Sequence, residues 1–232
     1  MENEFDRVAG SYQEELNSSL KLSGQSHDFF VQDKIRHLKR LLHPQGSADR
    51  SLKVLDVGCG VGLGHERVCD FVHSLHGVDV SQESIRVARE THKNVHYQAY
   101  EGDRLPFEAE EFDAAFTICV MHHVPPPQWP NFLQEIRRVL KPGGQLIVIE
   151  HNPFNPATQW IVRNTELDRD AVLLNPFGLK RRLTSSGLEW TQTHFTLFTP
   201  FPQPFFRWLD RKLWWLPLGA QYVTQARKPT EA

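Results

Sequence analysis

Cysteine is scarce in this chain of 232 residues: Cys59, Cys69 and Cys119 are its three, an odd number with no CxxC spacing. That counts against a disulfide framework and against a structural zinc site built from thiolate pairs. No stretch approaches the roughly 18 consecutive apolar residues that a membrane-spanning helix needs. The opening MENEFDRVAG is acidic and has no apolar centre, so it is not read as a secretory leader. Neither sign of charge is in excess. Lys and Arg total 26 against 28 Asp and Glu, a formal net charge of −2, which speaks against nucleic acid as a partner. Repeats and low-complexity linkers are missing as well. With 40% hydrophobic and 23% charged residues, the composition is that of a soluble, globular protein, expected in the cytoplasm.

The charge is nevertheless unevenly spread. Residues 177–232 carry eight Lys/Arg and three Asp/Glu, a balance of +5, so the rest of the chain stands at −7. The same region holds Phe195, Phe198, Phe201, Phe205, Phe206, Trp208, Trp214 and Trp215, interspersed with Arg207, Arg211 and Lys212. Such a stretch covers a sheet edge, or it makes peripheral contact with a lipid surface without stable membrane insertion.

Three zones of one domain, 1–232, follow from the patterning. In 1–50, Val31, Ile35, Leu38 and Leu42 make one helical stripe, closed by Pro44 and Gly46. Residues 51–150 alternate short apolar runs with helical patterns. The runs are LKVLDV (52–57), HGVDV (76–80), VHYQAY (95–100), FDAAFTICV (112–120) and QLIVIE (145–150). A helix sharing Val68, Val72 and Leu75 on one face is expected after the first. Ser81 is positioned to cap the next, and Pro130 to start a later one that KPGG (141–144) ends. Alternation of this kind implies a parallel sheet covered on both faces. In 151–232, a helix at LKRRLTSSG (179–187) and strands at 188–198 and 220–228 are expected. The Pro-rich connections 151–178 and 199–219 would supply a lid or pocket wall.

The sharpest local signal is VLDVGCGVG (54–62), with Gly58, Cys59, Gly60 and Gly62 between a strand and a helix. There the backbone can approach a ligand at the helix start. Asp79, followed by Val80, closes the next strand 19 residues after Gly60, where a carboxylate can take both hydroxyls of a ribose. A nicotinamide dehydrogenase is the competing reading. Against it, Asp56 sits inside the first strand, where it would repel a pyrophosphate and suit an ammonium group, and the second spacing of GxGxxG is missing.

These residues resemble the class I S-adenosylmethionine-dependent methyltransferases, in their small-molecule branch. VLDVGCGVG looks like the family's first motif and GVDVS (77–81) like its acidic second one. EGDRLPF (101–107), FDAAFTICVMHHV (112–124) and LKPGG (140–144) follow in the family's order. FDRVAGSY (5–12) resembles the lead-in of that branch. The resemblance implies a Rossmann-like, doubly wound α/β sheet of seven strands, mostly parallel, with a helical N-terminal cap. It implies S-adenosyl-L-methionine as cofactor and S-adenosyl-L-homocysteine as product. Asp56, Gly58, Cys59 and Gly60 would bracket the methionine part, and Asp79 with Val80 the ribose. Glu101 with Gly102 would meet the adenine, Asp103 being the other acid in reach. Cys119 and Met121 would lie beside the sulfonium, and Tyr12 would close over the cofactor.

The acceptor chemistry is less defined. A hydroxyl acceptor needs a base, which points to histidine. His122 and His123 follow the fourth strand and His151 the fifth, all on the edge where such sheets bind ligands. His151 is favoured as base, then His123. Asn152, Asn155 and Arg163, with Asp168 nearby, could contact the acceptor or serve turn chemistry. His65, His73, His76, His92 and His96 fall on helix surfaces or strand starts and receive no role. No metal site is expected, because the adjacent His122 and His123 have no further ligand at suitable spacing. The expected activity is methyl transfer to a small-molecule or lipid- or sugar-linked acceptor, most readily at oxygen, with nitrogen or carbon as alternatives. Oligomeric state is not legible.

Overall fold

The computed structural model describes residues 27–44, 50–165, 168–199 and 201–230. Tyr12 and the rest of 1–26 lie outside the described residues. The stripe of Val31, Ile35, Leu38 and Leu42 forms α1 (His27–Leu42). The alternating zone follows as β1 (Lys53–Val57), α2 (His65–Cys69), β2 (Ser74–Asp79), α3 (Gln82–Thr91), β3 (His96–Ala99), β4 (Phe112–Ile118), α4 (Trp129–Val139) and β5 (Leu140–His151). The last zone holds α5 (Pro156–Asn164), α6 (Pro176–Ser185), β6 (Glu189–Thr196), α7 (Pro204–Lys212) and β7 (Gln221–Arg227).

The seven strands make one sheet in the order β3-β2-β1-β4-β5-β7-β6. Strands β1 to β5 pair in parallel, and β7 runs antiparallel between β5 and β6. The mostly parallel, doubly wound architecture is as the motifs implied. Alternation along each strand sends side chains to opposite layers. Leu55, Val57, Ala115, Leu146 and Val148 pack with α4 and α6 through Phe132, Leu133, Ile136, Leu179 and Leu183. Val54, Phe116, Ile147 and Ile149 pack with α1, α2 and α3 through Leu38, Val68 and Ile85. Both faces are covered, which is why these strands read as continuous apolar runs.

Local signals hold where a specific hydrogen bond backs them. Ser81 Oγ accepts from Ser84 N and caps α3, and Pro130 occupies the first turn of α4. Three expectations need correction. The helix after the glycine loop ends at Cys69, and Leu75 belongs to β2, because Ser74 already pairs with Lys53. The KPGG turn does not stand apart from the fifth strand: Leu140 pairs with Phe112, and an irregularity between Phe112 and Ala114 absorbs the glycines. The Pro-rich connections each contain a helix, α5 and α7, with Pro156 and Pro204 in their first turns, where a missing N–H costs nothing.

Candidate functional site

The strand order reverses between β1 and β4, and the crevice beyond their C-terminal ends is where an open parallel sheet binds ligands. A cavity of about 810 Å3 occupies that place, toward the top of the roughly 300–1,000 Å3 typical of ligand pockets. Phe30, Val31, Lys34 and Ile35 of α1 form one wall, and Trp160 and Ile161 of α5 another. The described part of the N-terminal zone thus covers the crevice.

The floor is the glycine loop. Gly58 N and Cys59 N donate to Val78 O at 2.8 and 2.9 Å, tying the loop to β2. Gly58 has φ of 82°, and a Cβ there would meet Val120 at 2.5 Å. Gly60 has φ of 51°, and nothing lies within 4 Å of where its Cβ would point. Steric crowding therefore demands glycine at 58, whereas at 60 the open space belongs to the cavity. Gly60 N donates to Asp79 Oδ2 at 2.7 Å and Ser81 N to Oδ1 at 2.9 Å. This clamps the buried Asp79 carboxylate at the cavity wall; burial pushes its pKa up despite those bonds.

Asp56 is held from behind. His65 Nε2 donates to Asp56 Oδ2 at 2.8 Å, while Tyr97 Oη bonds His65 Nδ1 at 2.6 Å. Reading His65 as an unengaged helix-surface histidine was therefore wrong: it is buried and orients a cavity carboxylate. Asp56 Oδ1 is buried with no hydrogen-bond partner. A ligand ammonium would supply the missing donor, since an unpaired buried carboxylate oxygen is costly.

At the far end Cys119 has φ of 56°, which re-aims the chain out of β4. Its thiol lies 3.5 Å from Lys34 Nζ and 3.7 Å from Gln221 Nε2. Burial would raise its pKa, but the positive charge of Lys34 and the His151 imidazole lower it to about 7.

Glu150, the buried last carboxylate of the apolar run QLIVIE, organises the histidines. Its Oε1 accepts from Val120 N at 3.0 Å and Met121 N at 2.8 Å, and its Oε2 from His122 Nδ1 at 2.6 Å. Burial disfavours charge on His122, yet Glu150 and Asp168 prevail and hold its pKa up. Desolvation and the neighbouring His122 charge lower His123 to about 4. The His122 ring centroid is 4.1 Å from that of His123 and 5.1 Å from that of His151. Asp168 Oδ1 lies 3.5 Å from His122 Nε2 and 3.4 Å from His123 Nε2. Asp168, in the lid segment, joins the pair only in the folded chain, so spacing along the sequence gives no sign of this third group.

Asp56, Gly58, Cys59, Gly60, Asp79, Val80, Glu101, Gly102, Cys119, His122, His123, His151 and Asn155 line this one cavity. The others do not. Met121 is fully buried beneath it among the α4 side chains. Asn152 is buried, donating to Pro217 O and Gly219 O. Arg163 binds Gln159 on an exposed helix face. Asn155 touches the cavity but is spent on capping α5 and on Leu218 O. Asp103 accepts from its neighbour Arg104 N, leaving Glu101 as the acid at the wall. Glu150 and Lys34 were passed over; a carboxylate ending an apolar strand was the available signal for the first, and a lysine on a helix surface offers none.

A twisted parallel sheet with a glycine turn, a clamped strand-end Asp and a half-satisfied Asp56 defines an α/β protein built to hold a nucleoside that carries an ammonium group. Residues 54–144 match the family model described as a methyltransferase domain, in keeping with the resemblance to the class I S-adenosylmethionine-dependent methyltransferases. It is 28% identical over 194 residues to a ubiquinone biosynthesis O-methyltransferase of Chelativorans, covering 77% of this chain and 72% of that protein. It is 33% identical over 114 residues to a phthiotriol/phenolphthiotriol dimycocerosates methyltransferase of Mycobacterium leprae, covering 47% and 42%. The fold superposes on a solved methyltransferase from Thermotoga maritima with a TM-score of 0.71 at 21% identity, covering 97% of each chain. The protein is an S-adenosylmethionine-dependent enzyme, and the Asp56 orphan oxygen and the open space at Gly60 fit that cofactor.

Proposed function

We propose that the enzyme methylates an oxygen of a small or lipid-linked acceptor, bound in the same cavity as the cofactor. The observation that carries this is continuity: one cavity of about 810 Å3 joins the Asp56–Asp79 cradle to the His122–His123–His151 group. Apolar side chains of Phe132, Phe198, Trp160 and Ile161 line the acceptor side, which suits a ring or chain. The names of the two relatives, one an O-methyltransferase and one acting on a lipid, support the same class.

In this reading Asp56 takes the ammonium, Asp79 the ribose hydroxyls and Glu101 with Gly102 the adenine side, near Val80. S-adenosylmethionine supplies a methyl group already activated by the sulfonium. The chain's part is alignment, exclusion of water and removal of one proton. His151 accepts the acceptor's hydroxyl proton. With S-adenosylmethionine bound, transfer of its methyl group to that oxygen would leave a methyl ether, S-adenosylhomocysteine and the proton held on His151. Residues 27–44 and the described part of 151–178 act as roof and lid on the 51–150 core, within one domain.

The three cysteines are unpaired, which supports work in a reducing compartment such as the cytoplasm. No helix among the described residues is long and apolar enough to cross a membrane. Exposed Phe201, Phe205, Trp208, Trp214 and Trp215 beside Arg211 and Lys212 support peripheral contact with an anionic surface.

The test is turnover of a hydroxyl acceptor by His151→Ala and His123→Ala. Loss of a positioned base costs about 10²–10⁴-fold, so His151→Ala should fall by that much while its calorimetric affinity for S-adenosylmethionine stays close to wild type. Equal turnover by wild type and both variants would overturn the base assignment and favour an amine acceptor.

A further inference from the structure

We propose that His122 Nε2, His123 Nε2 and Asp168 Oδ1 form a binding site for one divalent transition-metal ion, of the zinc, iron(II) or cobalt(II) class, facing the acceptor end of the cavity. The ligand atoms of these residues lie within 4.8 Å of one another. Two ligands each about 2.0–2.1 Å from a tetrahedral ion stand roughly 3.3 Å apart. Asp168 Oδ1 is 3.5 Å from His122 Nε2 and 3.4 Å from His123 Nε2, so an ion fits between them with small side-chain adjustments.

A second, independent feature marks His122 as a ligand. Its Nδ1 faces Glu150 Oε2 at 2.6 Å, and Glu150 is itself fixed by Val120 N and Met121 N. With Nδ1–H committed to a buried carboxylate, Nε2 faces Asp168 Oδ1, and a bound ion would take the place of the Nε2 proton between them. Carboxylate–histidine–metal arrangements use this outer hydrogen bond to set the tautomer and raise ligand basicity. Access is graded in the same sense: the His122 side chain is 1% exposed, and those of His123 and Asp168 are 21% and 13% exposed. All three line the cavity, so the fourth position opens toward the acceptor. Two imidazoles and one carboxylate select a borderline transition ion over magnesium or calcium, which prefer oxygen ligands.

The function of such an ion rests on the hydroxyl-acceptor reading. The acceptor oxygen binds at the open position, and the ion stabilises its conjugate base. The proton leaves to His151, and the oxygen lone pair then attacks the methyl carbon as the carbon–sulfur bond breaks. No electrons are exchanged with the ion, which acts as a Lewis acid.

The experiment is titration of chelator-stripped full-length protein with Co2+, read by visible absorption, followed by displacement with Zn2+. Saturation at one ion per chain is expected, with loss of the absorption in Asp168→Asn and His123→Ala. Glu150→Gln, which keeps the acceptor for Val120 N and Met121 N, should weaken binding about 10–100-fold. Circular dichroism and thermal melting confirm that each variant is folded. Absence of saturable binding, or wild-type binding by folded Asp168→Asn and His123→Ala, overturns the site and leaves Asp168 as the counter-ion of a charged His122. Turnover separates the two proposals. Undiminished methylation of a hydroxyl acceptor by stripped protein that binds no ion sinks the metal and keeps the acceptor reading. Saturable binding lost in the variants, with methyl transfer only to amines, keeps the site and sinks the acceptor reading.

Discussion

At the scale of single residues, two glycines of one loop do different work. Gly58 sits at φ 82° against Val120, and Gly60 at φ 51° with empty space before it. Gly58→Ala must strain the backbone and push Val120 aside, so it should cost about 1–3 kcal/mol of stability, read as a lower urea midpoint. Gly60→Ala carries only the smaller cost of a positive φ. Its methyl group enters ligand space, so it should lower affinity for S-adenosylmethionine more than it lowers stability. Equal effects of both changes on stability, with affinity untouched, would show that the loop has no ligand side at 60. Asp79→Ala removes an acceptor held by Gly60 N and Ser81 N. It should weaken cofactor binding by about 1–3 kcal/mol, the scale for polar groups left unpaired, and calorimetry decides it.

At the scale of elements, α1 is anchored over the cavity by polar bonds as well as by Leu38. Asp33 accepts from Arg36 Nη1 at 2.8 Å, Thr196 Oγ1 of β6 at 3.0 Å and Arg207 Nη1 of α7 at 3.3 Å. Arg36 is solvent-exposed and Arg207 keeps Asp210 at 2.6 Å, so the loss falls mainly on the hydrogen bonds to the buried carboxylate. Asp33→Ala should therefore lower the unfolding free energy by about 1–3 kcal/mol, and proteolysis should reach α1 first. The same seam contains His194, whose Nε2 lies 3.0 Å from Arg40 Nη2 and 3.1 Å from His37 Nδ1. Burial, then His37 and Arg40, lower its pKa from 6.5 to about 3 against the pull of Asp33. The unfolded chain thus binds a proton at this site between those values and the folded chain does not. Stability from this site is complete above pH 6.5 and falls as pH drops toward 3, by at most about 1.4 kcal/mol per pH unit. His194→Gln should flatten that acid limb in urea unfolding at pH 7.5, 6 and 5; an unchanged slope would remove His194 as its cause.

At the scale of the whole molecule, the basic, aromatic region 201–218 carries half of the large exposed apolar side chains among the described residues, including Phe205, Trp208, Trp214 and Trp215. Phe205 and Trp208 stack on one side of α7 with ring centroids 6.1 Å apart. A lipid-linked acceptor would reach the cavity more easily from a surface held there. Each Lys or Arg near an anionic membrane contributes about 1 kcal/mol. The double change Arg211→Glu and Lys212→Glu should therefore cut co-sedimentation with phosphatidylserine vesicles by at least tenfold at low salt, with cofactor affinity unchanged. Equal sedimentation of both proteins would confine this face to packing.

The sequence by itself determined the sheet and its cofactor edge, because both rest on short-range rules. Apolar runs bounded by turns, the glycines after β1, the strand-end Asp79 and the Ser81 cap each act within a few residues, and their order along the chain specifies a doubly wound sheet. Element limits were less legible wherever pairing with a neighbouring strand prevailed over local pattern, as at Leu75 and at KPGG. Only the tertiary structure decided the acceptor end. His65 behind Asp56, Lys34 against Cys119, and Glu150 and Asp168 on either side of His122 come together from segments far apart in sequence. A histidine's charge, tautomer and ligand capacity depend on which carboxylate lies within about 4 Å. No periodicity along one chain records that distance.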